Sequence, residues 1–124
     1  MCSSDLLMSN HHHLVVQLAE PNLSAGMQRL HGMHAVGWNK RHVARGHVWQ
    51  GRFWSRVVED PGYCRTVMRY LDLNPVKAGL VDTPADWKWG GYRAVAGLAE
   101  SRRFHDASAA RLLAVAAEIG RAHV

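Results

Sequence analysis

His11-His12-His13-Leu14-Val15-Val16-Gln17-Leu18, followed by Ala19-Glu20-Pro21, is the stretch on which the fold turns. Leu14 to Leu18 is a short apolar run with adjacent valines, halted at Glu20-Pro21, and it reads as a buried strand fed by the histidines before it. Successive strand side chains point to opposite faces, so His11 and His13 project to one side and His12 to the other. Two imidazoles on one side can grip a divalent metal whose shell a third ligand and water complete. Taken alone, such a run is more often a solvated turn than a metal site.

Outward from that strand, the positions Met27, Leu30, Met33 or His34, and Trp38 recur at helical spacing from Ser24 onward, with Ser24 in place to cap the helix. Gly26, Gly32 and Gly37 each weaken that helix by up to ~1 kcal/mol relative to Ala, so packing has to hold it. Val43 to Gly51 reads as a loop, and Phe53 to Glu59 as a second strand. Asp60-Pro61 is a helix start, since Asp caps free N–H groups and Pro at the first position loses nothing. The helix carries Tyr63, Val67, Tyr70, Leu71 and Asn74 on one face, and Pro75 is expected to stop it. Val76 to Gly91 has loop character around Pro84, with Trp87 and Trp89 packing back on the domain, and Ala107 to Ala117 reads as a weak Ala/Leu helix. Strands and helices in this order make an α+β chain.

A chain of 124 residues holds one domain and a modest core. Its two ends are set aside, because Met1 to Leu6 and Glu118 to Val124 back-translate into the two orientations of a common sequencing-library adapter. The expected layout is therefore a leader over 1–6, a domain fragment over 7–93, a helical extension over 94–117 and a tail over 118–124. The net charge is +5, and removing the ends takes away Arg121 against Asp5 and Glu118, so the basic excess grows. A basic balance favours polyanionic partners. Cys2 lies in the leader and Cys64 has no partner, which leaves no disulfide framework and fits a reducing, cytoplasmic setting. No run approaches the ~18 apolar residues that span a bilayer, so no membrane role is expected.

Tyr70 and Asn74 sit four residues apart on one helix face. Asn offers a carbonyl oxygen to a metal, and Tyr offers a phenol that can attack a phosphate. Periodicity alone favours the plainer reading, in which Tyr70 is a core aromatic and Asn74 a helix-end residue. Tyr63 lies about two turns from Asn74, roughly 16 Å along the axis, too far to share a phosphate with it; Tyr92 and Cys64 read as packing residues. Asn39 to Arg45 runs into Trp49, Arg52, Phe53 and Trp54, a basic and aromatic tract. Its cations suit phosphates and its rings suit unpaired bases, at ~1 to 3 kcal/mol for each stacked base. Phe53, inside the strand, reads as core.

Four blocks in order resemble the HUH-superfamily single-tyrosine transposases, in their REP-associated branch. Met8-Ser9-Asn10-His11-His12-His13-Leu14 is similar to the family's Met-Pro-Asn-His-hydrophobic-His-Leu segment. Gly46-His47-Val48-Trp49-Gln50-Gly51-Arg52-Phe53 resembles Gly-His-x-Trp-Gln-x-Arg-Phe, and Tyr70-Leu71-Asp72-Leu73-Asn74-Pro75-Val76-Lys77-Ala78-Gly79-Leu80-Val81 resembles Tyr-x-x-x-Asn-Pro-Val-Arg-Ala-Gly-Leu-Val. Asp86-Trp87-Lys88-Trp89 to Tyr92 is similar to the downstream Trp-Ser-Ser-Tyr segment.

The resemblance implies a ferredoxin-like HUH fold, an antiparallel sheet with helices on one side, lacking here its first strand, first helix and part of its second strand. Two strands would then remain, a marginal sheet with unpaired edges and a fragment too unstable to act. It further implies Tyr70 as nucleophile on single-stranded or hairpin DNA, with a 5′-phosphotyrosine intermediate in DNA transposition. His11, His13 and Asn74 would hold Mg²⁺ or Mn²⁺, and Lys40, Arg41, Arg45, Trp49 and Arg52 would contact DNA. A homodimer is implied if Tyr70 serves the His pair of a second copy. His12 departs from the family's apolar residue and Ser9 from its proline. A non-catalytic module binding single-stranded nucleic acid is the alternative, and a small histidine-rich metal-binding protein is a third reading.

Overall fold

The computed structural model describes residues 2–100 and 114–119. β1 (Cys2–Leu7) and β2 (His12–Val16) form an antiparallel hairpin with Leu7 opposite His12 and Leu6 opposite His13. Its turn is closed by the Met8 N–H, which donates to the His11 carbonyl at 2.9 Å. α1 (Leu23–His42), β3 (Trp54–Val58), α2 (Pro61–Lys77), a 3₁₀ turn (Pro84–Asp86), the short α3 (Tyr92–Val95) and β4 (Ala114–Ile119) follow. The sheet order is β1-β2-β4-β3, antiparallel throughout. Four strands thus stand where the sequence predicts two, and Cys2–Leu7, whose residues 2–6 read as leader, supplies one of them.

Ala114–Ile119 corrects the helix expected over 107–117, whose earlier part, 107–113, lies outside the described residues. β2 and β3 each present a row of backbone groups toward the gap between them, and β4 pairs with both. Satisfying those groups outweighs the few tenths of a kcal/mol per residue by which alanine prefers a helix.

The expectation of helices on one side of the sheet is also corrected. Val15 of β2 packs with Leu6, Val58, Cys64 and Leu71, so α2 covers the face that carries Val15 and His13. Leu14 instead packs with Met27, Leu23 and Phe53, so α1 covers the other face. The cause is in β2 itself: with Leu14 and Val15 adjacent, both faces of the strand are apolar and both need cover.

Local details follow side-chain chemistry. The Asp60 carboxylate caps α2, accepting from the Tyr63 N–H at 2.9 Å. Ser24 is not the cap of α1; Asn22 is, and its side chain makes no capping bond. Pro75 does not stop α2 but lies inside it. In the last turn proline forfeits one bond, to the Leu71 carbonyl, and the helix continues. What ends α2 is Gly79, at φ +74. Its N–H donates to the Val76 carbonyl and the Leu80 N–H to the Pro75 carbonyl, both at 3.0 Å, the paired closure that a left-handed glycine permits.

The outer edge of β1 is covered by the chain around Gly90: Leu7 N–H donates to Trp89 O at 2.7 Å, and Gly91 N–H to Asp5 O at 2.8 Å. A Cβ on Gly90 would sit 3.3 Å from Leu6 Cδ1, so glycine allows this approach. Trp87 packs on the α2-side core and donates from Nε1 to Leu7 O at 3.0 Å. Trp89 departs from the expected packing: half its surface is exposed, with Lys88 Nζ 4.5 Å from its ring centroid. No helix among the described residues is long and apolar enough to cross a membrane.

Candidate functional site

α2 is pinned to the sheet by Leu71 and Cys64, both buried against Val15 and Val58. One residue before Leu71 on the helix, Tyr70 is therefore carried to the rim of that contact and stays half exposed. Beside it lies His13, buried in β2, with ring centroids 6.3 Å apart and planes near perpendicular. His11 belongs to the hairpin turn rather than to the strand, yet its ring meets that of His13 edge-on at 5.0 Å. Its Nδ1 lies 2.7 Å from Asn10 Oδ1, which fixes the ring's orientation. His11, His13 and Tyr70 thus form a chain of ring contacts from the hairpin turn to α2.

Asn74 follows Tyr70 by one helical turn, half-buried. Lys77, which sequence reasoning assigned no role, is the next cation along that face, with Nζ 5.5 Å from the Tyr70 ring centroid. The spacing 70, 74, 77 on one helix was the signal that could have found it. Asp72 is held up near 6 because burial disfavours its charged form. Tyr63 packs on the core with Arg56 over its ring at 5.3 Å, and burial raises the Cys64 thiol. Among the described residues no three or more His, Cys, Asp or Glu side chains are grouped to hold a metal ion. His11, His13 and Asn74 are donors of another kind, two imidazoles and an amide oxygen, and of these the ring contact joins His11 and His13.

The residues expected to touch DNA divide. Lys40, Arg41 and Arg45 are exposed at and just beyond the end of α1, and the exposed Arg52 lines a hollow of about 540 Å³ with Ser24, Gln28, His31, Phe53 and Ser55. Trp49 is only half exposed: its ring stacks on His31 at 4.3 Å, and its Nε1–H donates to the His31 carbonyl at 3.0 Å. His31 therefore covers one face of the indole, which leaves the other as the face a base could stack on. α1 and α2 lie on opposite faces of the sheet, so Lys40 and Arg41 approach from the side away from Tyr70.

His12 points into the α1 face, where His31 Nε2 lies 3.5 Å from its own Nε2. Burial, then the neighbouring imidazoles of His31 and His13, push His12 down from 6.5 to about 4. His31 is lowered as well, by burial first and then by His34. His34, Trp38 and His42 continue the ring contacts along α1. Sequence reasoning missed this group, although His31 with His34 and Trp38 with His42 have helical spacing.

A protein of Haemophilus influenzae bearing the name "Putative REP-associated tyrosine transposase" is 30% identical to this chain over 54 residues. That stretch is 44% of this chain and 31% of the relative, so the match spans about a third of the relative's length. No family model and no solved structure matches the chain. The similarity is thus to a transposase-related protein, over less than half of this chain.

Proposed function

We propose that this chain is the catalytic part of a transposase-type enzyme that cuts and rejoins single-stranded DNA through Tyr70. The observation that carries the reading is the half-exposed Tyr70 ring 6.3 Å from buried His13, which His11 meets edge-on. The sequence similarity to a protein named as a tyrosine transposase supports the same class.

The Tyr70 hydroxyl attacks the scissile phosphorus in line with the departing 3′-oxygen. The new bond joins Tyr Oη to phosphorus, the P–O3′ bond breaks, the phenol proton leaves to solvent and the 3′-oxygen takes up a proton. A 5′-phosphotyrosine and a free 3′-hydroxyl result. Attack by another 3′-hydroxyl reverses the step and returns Tyr70 as a phenol. One phosphodiester replaces another, so no external energy source is required. α2 sets the place of Tyr70 on the rim of the sheet contact, and its half-exposed ring leaves the phenol open to a DNA strand. His11, His13 and Asn74 would hold Mg²⁺ or Mn²⁺, which would supply Lewis acidity toward the phosphate. The Lys77 ammonium adds positive charge beside the phenol. Lys40, Arg41, Arg45 and Arg52 bind the flanking strand through its phosphates.

The test is a labelled hairpin with single-stranded flanks, incubated with the chain and Mn²⁺ and run under denaturing conditions. A covalent protein–DNA adduct is expected, absent from Tyr70→Phe while that variant still binds the oligonucleotide. Binding with no adduct even from the unsubstituted full-length protein supports the alternative, a non-catalytic module that binds single-stranded nucleic acid. An adduct persisting in Tyr70→Phe removes Tyr70 from its role.

A further inference from the structure

On the sheet face turned away from Tyr70, β2, α1 and the loop before β3 bring their rings together. His12 Nε2 and His31 Nε2 stand 3.5 Å apart, their ring planes at 89°. Two imidazole nitrogens at the ~2.0–2.1 Å bond length of zinc, subtending a tetrahedral angle, lie roughly 3.3–3.4 Å from each other. The pair is thus spaced as two ligands of one ion. We propose that His12 and His31 bind a borderline divalent transition metal, of the Zn²⁺ or Cu²⁺ kind, and through it tie α1 to β2.

The surroundings are those of a held site. Trp49 stacks on His31 at 4.3 Å, meets His12 edge-on at 5.1 Å and donates its Nε1–H to the His31 carbonyl at 3.0 Å. One indole thereby fixes the place of both imidazoles, as supporting groups around metal ligands do. A hollow of about 250 Å³ opens on His12, with His11, Trp38 and Trp49 also in its lining, and His31 lines a second hollow of about 540 Å³, so each imidazole has open space beside it from which water can complete a shell. Water has to do so, since among the described residues no three His, Cys, Asp or Glu side chains converge. Two imidazoles and water select Zn²⁺, Ni²⁺ or Cu²⁺ over the oxygen-seeking Mg²⁺. The site is built on His12 and His31 rather than on the residues assigned to the one beside Tyr70, and stands whether or not Tyr70 is a nucleophile.

Cu²⁺ is the probe, because it quenches tryptophan fluorescence and Trp49 touches both ligands. The chain, stripped with chelator, is titrated with Cu²⁺ by calorimetry and by fluorescence. Quenching that tracks calorimetric binding is expected, retained in the exposed His47→Ala and reduced in Trp49→Phe. His31→Gln and His12→Leu should each weaken binding at least ~10-fold, the loss that removing even a supporting group produces. Folding of each variant is checked by circular dichroism. If either fails to fold, nuclear magnetic resonance of the unsubstituted chain decides: Zn²⁺ should shift the His12 and His31 ring signals together. Unmoved rings, or binding lost in His11→Ala and kept in His31→Gln, overturn the site and leave a hydrogen bond between two imidazoles.

Discussion

At His12 the sequence and the fold disagree in an instructive way. Its place in the strand was legible: alternation put it on the face opposite His13, and there it lies, against His31 and Trp49. What covers it was not legible, because a period-two pattern gives the face and says nothing of what arrives from 19 residues away. The consequence is a pH dependence. His12 titrates at about 4 when folded against 6.5 ordinarily, chiefly through burial. Between those values the unfolded chain binds a proton that the folded chain does not. The stabilising term is therefore whole above pH 6.5 and is lost as pH falls toward 4, by at most about 3 kcal/mol. In the presence of chelator, urea midpoints between pH 7 and 4 should fall less steeply in His12→Leu than in the unsubstituted chain. Parallel slopes would remove His12 as a source of acid sensitivity. The Tyr70 group was half legible by the same logic: spacing alone cast Tyr70 as a core aromatic, and only the resemblance in four blocks weighted it toward chemistry.

Elements were legible where local chemistry decides them. Asp60-Pro61 starts α2 as the sequence says, because both the capping carboxylate and the proline act within one turn. The end of α2 was misread, since Pro75 sits where its missing N–H costs one bond, while the stop is made by Gly79 at φ +74. These assignments separate by substitution. Alanine at Gly79 has open space for its Cβ but must hold a left-handed backbone, at a cost of roughly 1–2 kcal/mol. Gly79→Ala should lower the thermal midpoint accordingly while leaving helix content unchanged by circular dichroism. An unchanged midpoint would mean that Gly79 does not close the helix. The helices' placement on two faces belongs to the same scale: adjacent Leu14 and Val15 pointed to it, but the expectation borrowed from the resemblance prevailed over the residues.

For the whole molecule the deciding strand is the one that propensity concealed. Ala114–Ile119 is alanine-rich and reads as helix, yet it lies between β2 and β3, with Ala116 opposite both Val15 and Arg56. Without β4, β3 has no partner in the sheet, and Val58 loses the backbone frame that holds it in the α2-side core. A two-stranded hairpin is marginal in water, whereas four strands packed on a helix can fold cooperatively. Proline at position 116 removes a donor in the middle of an interior strand, where proline is not tolerated. Ala116→Pro should abolish the single cooperative melt followed by tryptophan fluorescence, and in the unsubstituted chain amides from 114 to 119 should exchange as slowly as those of β2. A helix at this position would also suffer from proline, so the exchange data carry the distinction. Protection at Val15 and Arg56 that persists when the chain is ended after residue 113 would show that the two strands stand without it, and the interior place of β4 would fall.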